Sequence, residues 1–363
     1  MKLALIRRQF AATGGAELYL QRLLGALAKR GQEVHLFAES WSESIQGVVF
    51  HSVAAVGSRA MRPVRFAEAV RVEMAKEKFD CVFSLDRTLK QDVYRAGDGV
   101  HRVWLERRKQ FAPWWKKPFV GVGAFHRNMM TLEAQTFDPA NTRHVIVNSE
   151  MVRREILEHF QFPSERIHLV RNGVEVARFQ NGKRAETRSR FGVKDDEFLL
   201  LFVGSGWERK GLCFLFALME DLLQKKTAQL KTVKLLVVGK GKKPSTVSPN
   251  VIFAGPMSDV ENALAAADLF TFLPIYEPSA NAVVEALAAG LPVVTSAQNG
   301  ASEIIREGVN GSVVSNPADR AAVFSAASFW LDTKVRRPST STADFSIERN
   351  VAETLAVLEL AAR

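Results

Sequence analysis

The chain has 363 residues and a net charge of +10, with 49 Lys and Arg against 39 Asp and Glu; 47% of its residues are hydrophobic and 24% are charged. That length suits two domains, each large enough to bury its own core, and the apolar content excludes a disordered chain. The two cysteines, Cys81 and Cys213, lie far apart in apolar runs, which excludes a disulfide framework and reads as two buried thiols in a reducing compartment.

Residues 1–6 are apolar but too few for a secretory signal before Arg7-Arg8, and no stretch reaches the roughly 20 apolar residues of a spanning helix. A soluble or peripheral protein is expected. In chain order, short β-type runs then alternate with helical patterns, as in parallel sheets covered by crossover helices. Strands are expected at 2–6, 34–38, 48–51, 81–84 and 144–147, with a Gly14-Gly15 turn after the first and helices over 16–28, 63–77 and 149–159. These form one open α/β domain, residues 1–175.

The pattern pauses at Val170-Arg-Asn-Gly-Val174, and residues 180–197 are polar and charged, as in a connector. A second domain, 176–344, is expected to hold strands at 198–203, 233–238, 251–253, 269–272, 293–295 and 311–314. Helices near 212–225, 258–267, 279–289, 301–307 and 317–331 separate them. Residues 345–363 read as an amphipathic helix able to pack back on either domain. Two doubly wound, Rossmann-like domains bind ligands at the carboxyl ends of their strands, so the expected site is the cleft between them.

Four segments carry candidate chemistry. In Tyr276-Glu-Pro-Ser-Ala-Asn-Ala-Val-Val-Glu285 a helix is expected to open with Ser279 as N-cap, leaving the amides of Ala280, Asn281 and Ala282 to bind an anion at the positive end of the helix. Glu277 and Glu285 would flank that anion and accept sugar hydroxyls; the alternative is a loop surface residue and an exposed helix position. In Val203-Gly-Ser-Gly-Trp-Glu-Arg-Lys-Gly211, Gly204 and Ser205 allow close backbone approach while Arg209 and Lys210 supply adjacent cations for a diphosphate; the alternative is a surface turn. Gly14-Gly15 reads equally as a tight turn or a ligand loop. In Tyr94-Arg-Ala-Gly-Asp-Gly-Val-His101, glycines expose Asp98 as a general acid, a sugar-hydroxyl acceptor or a turn stabiliser, and His101 follows.

Other chemistries find no support. The seven histidines have no His-x-x-x-His partner, which argues against zinc, and no Asp-x-Asp pair is present to bind a metal bridging a diphosphate. A Gly-x-Ser-x-Gly elbow and a P-loop are also absent from the sequence.

Taken in order, Gly14-Gly15 with Glu17, Val147-Asn-Ser149, Asn172-Gly-Val174, Arg209-Lys-Gly211, Phe253-Ala-Gly255, Ala267-Asp268 and the Glu277-x7-Glu285 pair resemble the family 4 retaining glycosyltransferases over nearly the whole chain. Within that family the chain looks most like the lipopolysaccharide core glucosyltransferases that act on an inner-core heptose. The resemblance implies a GT-B fold of two Rossmann-like domains facing across a cleft, and transfer of a hexose with retained configuration and without a metal. The implied donor is UDP-glucose. Glu285 would bind the ribose, Glu277 the donor sugar, and Arg209, Lys210, Asn281 and Ala282 the diphosphate. The segment holding Phe253, Gly255 and Met257 would receive the base, Gly14 and Gly15 would line the sugar and phosphate, and Asp98 would contact the donor sugar. The sequence departs from the family's Glu-Pro-Phe-Gly run, reading Glu277-Pro-Ser-Ala280, and its basic residues are the adjacent pair Arg209-Lys210. Alternatives are a GDP-mannose or ADP-heptose donor on another glycan, or a sugar-nucleotide epimerase or non-catalytic binding homologue of the same fold.

Charge is unevenly spread: residues 1–175 hold 27 basic and 19 acidic side chains, and residues 176–363 hold 22 and 20. The excess concentrates at 101–127, where Arg102, Arg107, Arg108, Lys109, Lys116, Lys117 and Arg127 face one acid, Glu106, among Trp104, Phe111, Trp114, Trp115, Phe119 and Phe125. Cations beside indoles suit an anionic bilayer edge. The expectation is peripheral docking on the cytoplasmic face of the inner membrane, where a lipid-linked acceptor is presented. The alternative has these aromatics in a core, and no nucleic-acid module accompanies them.

Overall fold

A computed structural model describes residues 1–9, 15–41, 46–224, 232–332 and 345–362. The chain forms two compact units, Met1–Arg171 with Ile347–Arg363, and Asn172–Ser346. The crossing falls before Asn172 rather than after Glu175, because residues 172–174 already belong to the second unit. There the Val174 amide donates to the Phe345 carbonyl at 2.7 Å.

In the first unit the chain runs β1 (Lys2–Ile6), α1 (Gly15–Lys29), β2 (Glu33–Ala38), β3 (Val48–Ser52), α2 (Arg62–Met74), β4 (Cys81–Ser84), β5 (Gln91–Arg95), α3 (His101–Phe111), α4 (Ala124–Thr136), β6 (Thr142–Val147), α5 (Glu150–Phe160) and β7 (Ile167–Leu169). The second unit follows with α6 (Val176–Gln180), α7 (Arg184–Arg190), β8 (Phe198–Val203), α8 (Leu212–Gln224), β9 (Val233–Val238), β10 (Val251–Gly255), α9 (Val260–Ala266), β11 (Leu269–Phe272), α10 (Asn281–Ala288), β12 (Val293–Ser296), β13 (Gly311–Val314) and α11 (Arg320–Asp332). Helix α12 (Ile347–Ala361) returns to the first unit.

Both sheets are parallel, ordered β3-β2-β1-β4-β5-β6-β7 and β10-β9-β8-β11-β12-β13. Parallel strands need covered faces, which explains why β1 and β8 read as nearly unbroken apolar runs. Each sheet grows one way from its first strand and then restarts on that strand's other side. The reversal lies between β1 and β4 in one sheet and between β8 and β11 in the other.

Helix α12 completes the first unit: Ile347, Val351, Leu355 and Leu358 pack with Leu20, Leu23, Leu24 and Leu27 of α1 in one cluster. That settles which domain the terminal helix covers. Two strands, β5 and β7, escape the sequence pattern because they are short and interrupted by polar residues. Cys81 is buried, whereas Cys213 is exposed, contrary to the expectation of two buried thiols. On α8 the core face is Leu212, Leu215, Leu218, Met219 and Leu222, and Cys213 falls outside it.

The polar stretch expected to be a connector contains α7, which packs into the second unit through charge. Arg188 is 2% exposed and donates to Asp268 Oδ2 at 3.3 Å and to the carbonyls of Ala266, Lys194 and Glu197. Asp268 also accepts from Arg184 at 2.7 Å and from the Leu199 amide at 2.9 Å. Asp268 of the Ala267-Asp268 motif is therefore an anchor joining α7 to β8. Asp268→Ala leaves the buried Arg188 charge uncompensated and is expected to cost about 3–5 kcal/mol of stability, read as a lower urea midpoint with unchanged slope.

Candidate donor site

The reversal in the second sheet brings the carboxyl ends of β8 and β11 side by side, where ligands of such sheets bind. Residues 204–211 leave β8 and residues 273–280 leave β11. Gly211 has φ +73, and a Cβ there would stand 1.7 Å from the Leu273 carbonyl oxygen. Only glycine permits that approach, which lets the Ile275 amide donate to the Arg209 carbonyl at 3.0 Å. The two loops are thereby laced together beneath the candidate site.

The lacing gathers four of the predicted residues. Lys210 Nζ lies 5.6 Å from the centroid of the Phe272 ring. Burial pushes its ammonium below the ordinary value; Glu277 and Glu285 act to raise it and the neighbouring Arg209 to lower it. Arg209 Nη1 approaches Glu277 Oε2 at 3.0 Å and donates to the Tyr276 carbonyl at 3.3 Å. The contact with Glu277 is an ion pair without hydrogen-bond alignment, since Glu277 Oε2 has no aligned donor. Glu277 is held through its backbone, donating to Gln298 and accepting from Gly300, both at 2.9 Å. Glu285 is half-buried, not on a solvent face, and burial pushes its carboxyl up to about 7; Arg178 and Lys210 pull it down and Glu261 pushes it up.

At the helix start the structure corrects the expected cap. Helix α10 begins at Asn281 with Ala280, not Ser279, as N-cap and no side-chain capping bond. The Ala280 amide is also not available to an anion, because it donates to Asn299 Oδ1 at 3.1 Å. The amides of Asn281 and Ala282 remain in the first turn, where no acceptor exists within the helix. Asn172 adds a second brace, donating from Nδ2 to Asn281 Oδ1 at 2.7 Å and to the Ser279 carbonyl at 3.1 Å. Asn299 is not among the sequence candidates and Asn172 enters only within Asn172-Gly-Val174, because the role of each is set by a partner elsewhere in the chain.

Beside the cations, Trp207 donates from Nε1 to the Gly204 carbonyl at 3.0 Å and sets its ring 5.6 Å from Phe253. A Cβ on Gly241 would fall 2.1 Å from the Trp207 ring, so glycine at 241 makes room for the indole. Ser205 Oγ accepts from the Lys240 amide at 3.0 Å, joining the ends of β8 and β9. Phe253 and Gly255 lie on the edge strand β10, and Met257 packs against the core just beyond it. Trp207 and Gly241 were not among the predicted site residues.

The first unit holds the remaining candidates. Gly14 lies outside the described residues, and Gly15 opens α1. Asp98 is exposed on a tight turn after β5, and that turn is clamped from behind. Arg87 donates to the Gly99 carbonyl at 2.7 Å and to Glu133 at 2.9 Å, while Glu133 accepts from the amides of His101 at 2.6 Å and Arg102 at 3.2 Å. Burial, with Arg87 and His126, pushes His101 down to about 4, which leaves it neutral at physiological pH. Residues 101–127 divide: Trp104, Phe111 and Phe125 are half-buried, whereas Trp114 is 83% and Phe119 73% exposed, with Trp115 and Val122 also exposed. Those exposed aromatics are not core. A cavity of about 450 Å³ in the same unit is lined by Arg8, Gln9, Gly57, Arg59, Arg62 and Phe125.

Comparison with known proteins gives two family models in tandem. Residues 13–178 match Glycosyltransferase Family 4, and residues 197–332 match Glycosyl transferases group 1. The chain belongs to the family 4 glycosyltransferases. It is 25% identical over 319 residues to lipopolysaccharide glucosyltransferase WaaG of Escherichia coli K12, covering 84% of this chain and 82% of WaaG. It is 23% identical over 343 residues to the D-inositol 3-phosphate glycosyltransferase of Segniliparus rotundus, covering 83% and 73%. The crystal structure of WaaG superposes with a TM-score of 0.76 at 23% identity, covering 99% of this chain and 97% of that one. Anabaena HepE in complex with UDP-glucose superposes with a TM-score of 0.69 at 16% identity, covering 99% and 100%. These likenesses establish the GT-B fold, and no described helix of this glycosyltransferase is long and apolar enough to cross a membrane.

The candidate site carries a stability signature. An unfolded Glu285 ionises near 4.5 and the folded one near 7, so folding takes up a proton between those values and stability falls as pH rises through that window. Glu285→Gln is expected to raise stability by roughly 1–3 kcal/mol at pH 8 and to leave it unchanged at pH 4, measured by chemical denaturation at both values.

Proposed function

We propose that this glycosyltransferase moves a hexose, glucose from UDP-glucose, to a lipopolysaccharide core or other lipid-linked glycan, with retained configuration and without a metal. The observation that carries the donor assignment is Lys210, a half-buried cation facing Glu277 and Glu285, with Arg209 beside it at the switch point of the second sheet. A nucleotide diphosphate supplies the negative charge this pair of cations is built to receive. The amides of Asn281 and Ala282 add positive charge from the start of α10. Glu277 then accepts hydroxyls of the donor sugar and Glu285 those of the ribose, while Phe253, Trp207 and Met257 receive the base. The name of HepE's bound ligand supports UDP-glucose among sugar nucleotides.

Transfer proceeds by attack of the acceptor hydroxyl on the face from which the diphosphate departs. As the glycosidic C–O bond breaks, negative charge grows on the leaving oxygens, and preplaced Lys210, Arg209 and helix amides stabilise it more than they stabilise the bound donor. Asp98 contacts the donor sugar from its clamped turn. Removing one preorganised donor typically costs 100-fold or more in turnover. Lys210→Ala is accordingly expected to lower kcat/KM by at least ~100-fold in an assay of released UDP. Turnover near the wild-type value in that variant contradicts the assignment, and a thermal-shift panel of UDP, GDP and ADP sugars decides the base.

On the acceptor side, the basic pocket of Arg8, Arg59 and Arg62 favours an anionic glycan. A second reading, a small phosphorylated polyol as acceptor, is favoured by the same pocket together with the relative named for D-inositol 3-phosphate. The exposed Trp114, Trp115 and Phe119, with Lys116 Nζ 4.7 Å from the Trp115 ring centroid, support docking on the cytoplasmic face of the inner membrane. In vesicle sedimentation the protein is expected to pellet with anionic but not neutral vesicles, and replacing Trp114, Trp115, Lys116 and Lys117 by Ala to abolish it. Equal pelleting with both vesicle types overturns the docking assignment.

A further inference from the structure

The proposed transfer uses none of the histidines of the first unit, yet three pairs of them stand in contact there. His101 meets His126 at 3.1 Å, His144 meets His168 at 3.0 Å, and His35 meets His51 at 2.8 Å. Only the last pair gathers a third ligand: among the described residues, no other three His, Cys, Asp or Glu side chains converge as His35, His51 and Glu77 do.

The local sheet explains the convergence. His35 lies on β2 and His51 on the edge strand β3, in a register that pairs His35 with Val49 and Phe37 with His51. The two histidines are therefore diagonal neighbours on one face. Glu77, in the link from α2 to β4, places Oε2 3.6 Å from His35 Nδ1, and the three ligand atoms lie within 4.8 Å of one another. Donors around a tetrahedral zinc, at bond lengths of roughly 2.0–2.2 Å, stand roughly 3.3 Å apart. The observed separations bracket that value.

The surrounding atoms favour metal binding over a simple hydrogen bond between rings. His35 Nε2 lies 2.9 Å from Glu33 Oε1, so the carboxylate draws the ring proton to Nε2 and leaves the Nδ1 lone pair directed into the cluster. A carboxylate behind a ligating histidine is the usual way such rings are oriented and made more basic. The His35 ring is further fixed by stacking on His51 at 5.0 Å and by the edge of Phe79 at 5.2 Å. Lys2 pairs with both Glu33 and Glu77 and holds the two carboxylates in place. His35 is buried while Glu77 is exposed, which leaves an entry path from solvent.

We propose that His35 Nδ1, His51 Nε2 and Glu77 Oε2 form a binding site for a divalent transition-metal ion, zinc by its ligand set, with water in the fourth position. Without the ion, His51 Nε2 carries the proton shared with His35 Nδ1. On binding, that proton moves to His51 Nδ1, so both rings stay neutral and Glu77 stays a carboxylate. The ion ties the edge strand β3 to β2 and to the link before β4, a structural role independent of the donor residues. Chain spacing did not reveal it because the ligands come from two parallel strands and a distant link, not from one helix.

The full-length protein, stripped with a chelator, is to be titrated with zinc chloride by calorimetry and with cobalt(II) by visible absorption. The expected result is one ion per chain, the absorption of tetrahedral cobalt, and a Tm rise of about 5 °C at free zinc near 100 times Kd. His51→Gln and Glu77→Gln are each expected to weaken binding at least tenfold, Glu33→Gln by about 10–100-fold, and His144→Gln not at all. Glu77 is exposed, so its variant keeps the zinc-free Tm and decides the matter if His51→Gln fails to fold. No stoichiometric binding at about 100 μM zinc, or wild-type affinity in Glu77→Gln, overturns the proposal.

Discussion

The ammonium of Lys210 is taken partly out of water, and a charge in that position must be balanced. Glu277 and Glu285 supply the balance, and each reaches it by a different structural route. Glu277 sits on a loop whose backbone is fastened to Gln298 and Gly300, while Glu285 projects from α10, whose entry is fixed by Asn172 and Asn299. The loop carrying Lys210 approaches only because Gly211 lies against the Leu273 carbonyl. Sheet order, glycine and asparagine thus serve one electrostatic arrangement. Under the proposed function it stands ready for a diphosphate, which takes over the partnership that Glu277 holds with Arg209.

The two units divide the charge differently. The second nearly balances its charge, and its buried and site cations are paired: Arg188 and Arg184 on Asp268, Arg209 on Glu277. The first carries the excess of basic residues, much of it exposed around Trp114, Trp115 and Phe119 and around the pocket of Arg8, Arg59 and Arg62. Its buried pair, Arg87 with Glu133, instead shapes the turn that displays Asp98. Under the proposed function, bulk charge speaks to the acceptor side, and donor chemistry rests on a handful of held side chains.

Much of this was legible in the sequence because parallel sheets write themselves plainly. The runs at 2–6, 198–203, 233–238 and 269–272 are apolar on both faces, and the loops after them carried the glycines, cations and carboxylates. What escaped was fixed by tertiary partners. Residues 184–190 are polar enough to read as a connector, yet Asp268 and three carbonyls let Arg188 be buried. Ser279 is the better intrinsic N-cap, but Asn299 takes the Ala280 amide and shifts the helix start. His35, His51 and Glu77 share no sequence spacing at all, so only the register of β2 on β3 reveals them.

Equilibrium binding of UDP to the wild type, Lys210→Ala and Asp98→Ala, compared by calorimetry at one pH and salt concentration, tests the central claim most directly. If Lys210 is the cation that receives the diphosphate, UDP affinity falls at least tenfold in Lys210→Ala and is unchanged in Asp98→Ala. UDP binding to Lys210→Ala with wild-type affinity contradicts the account.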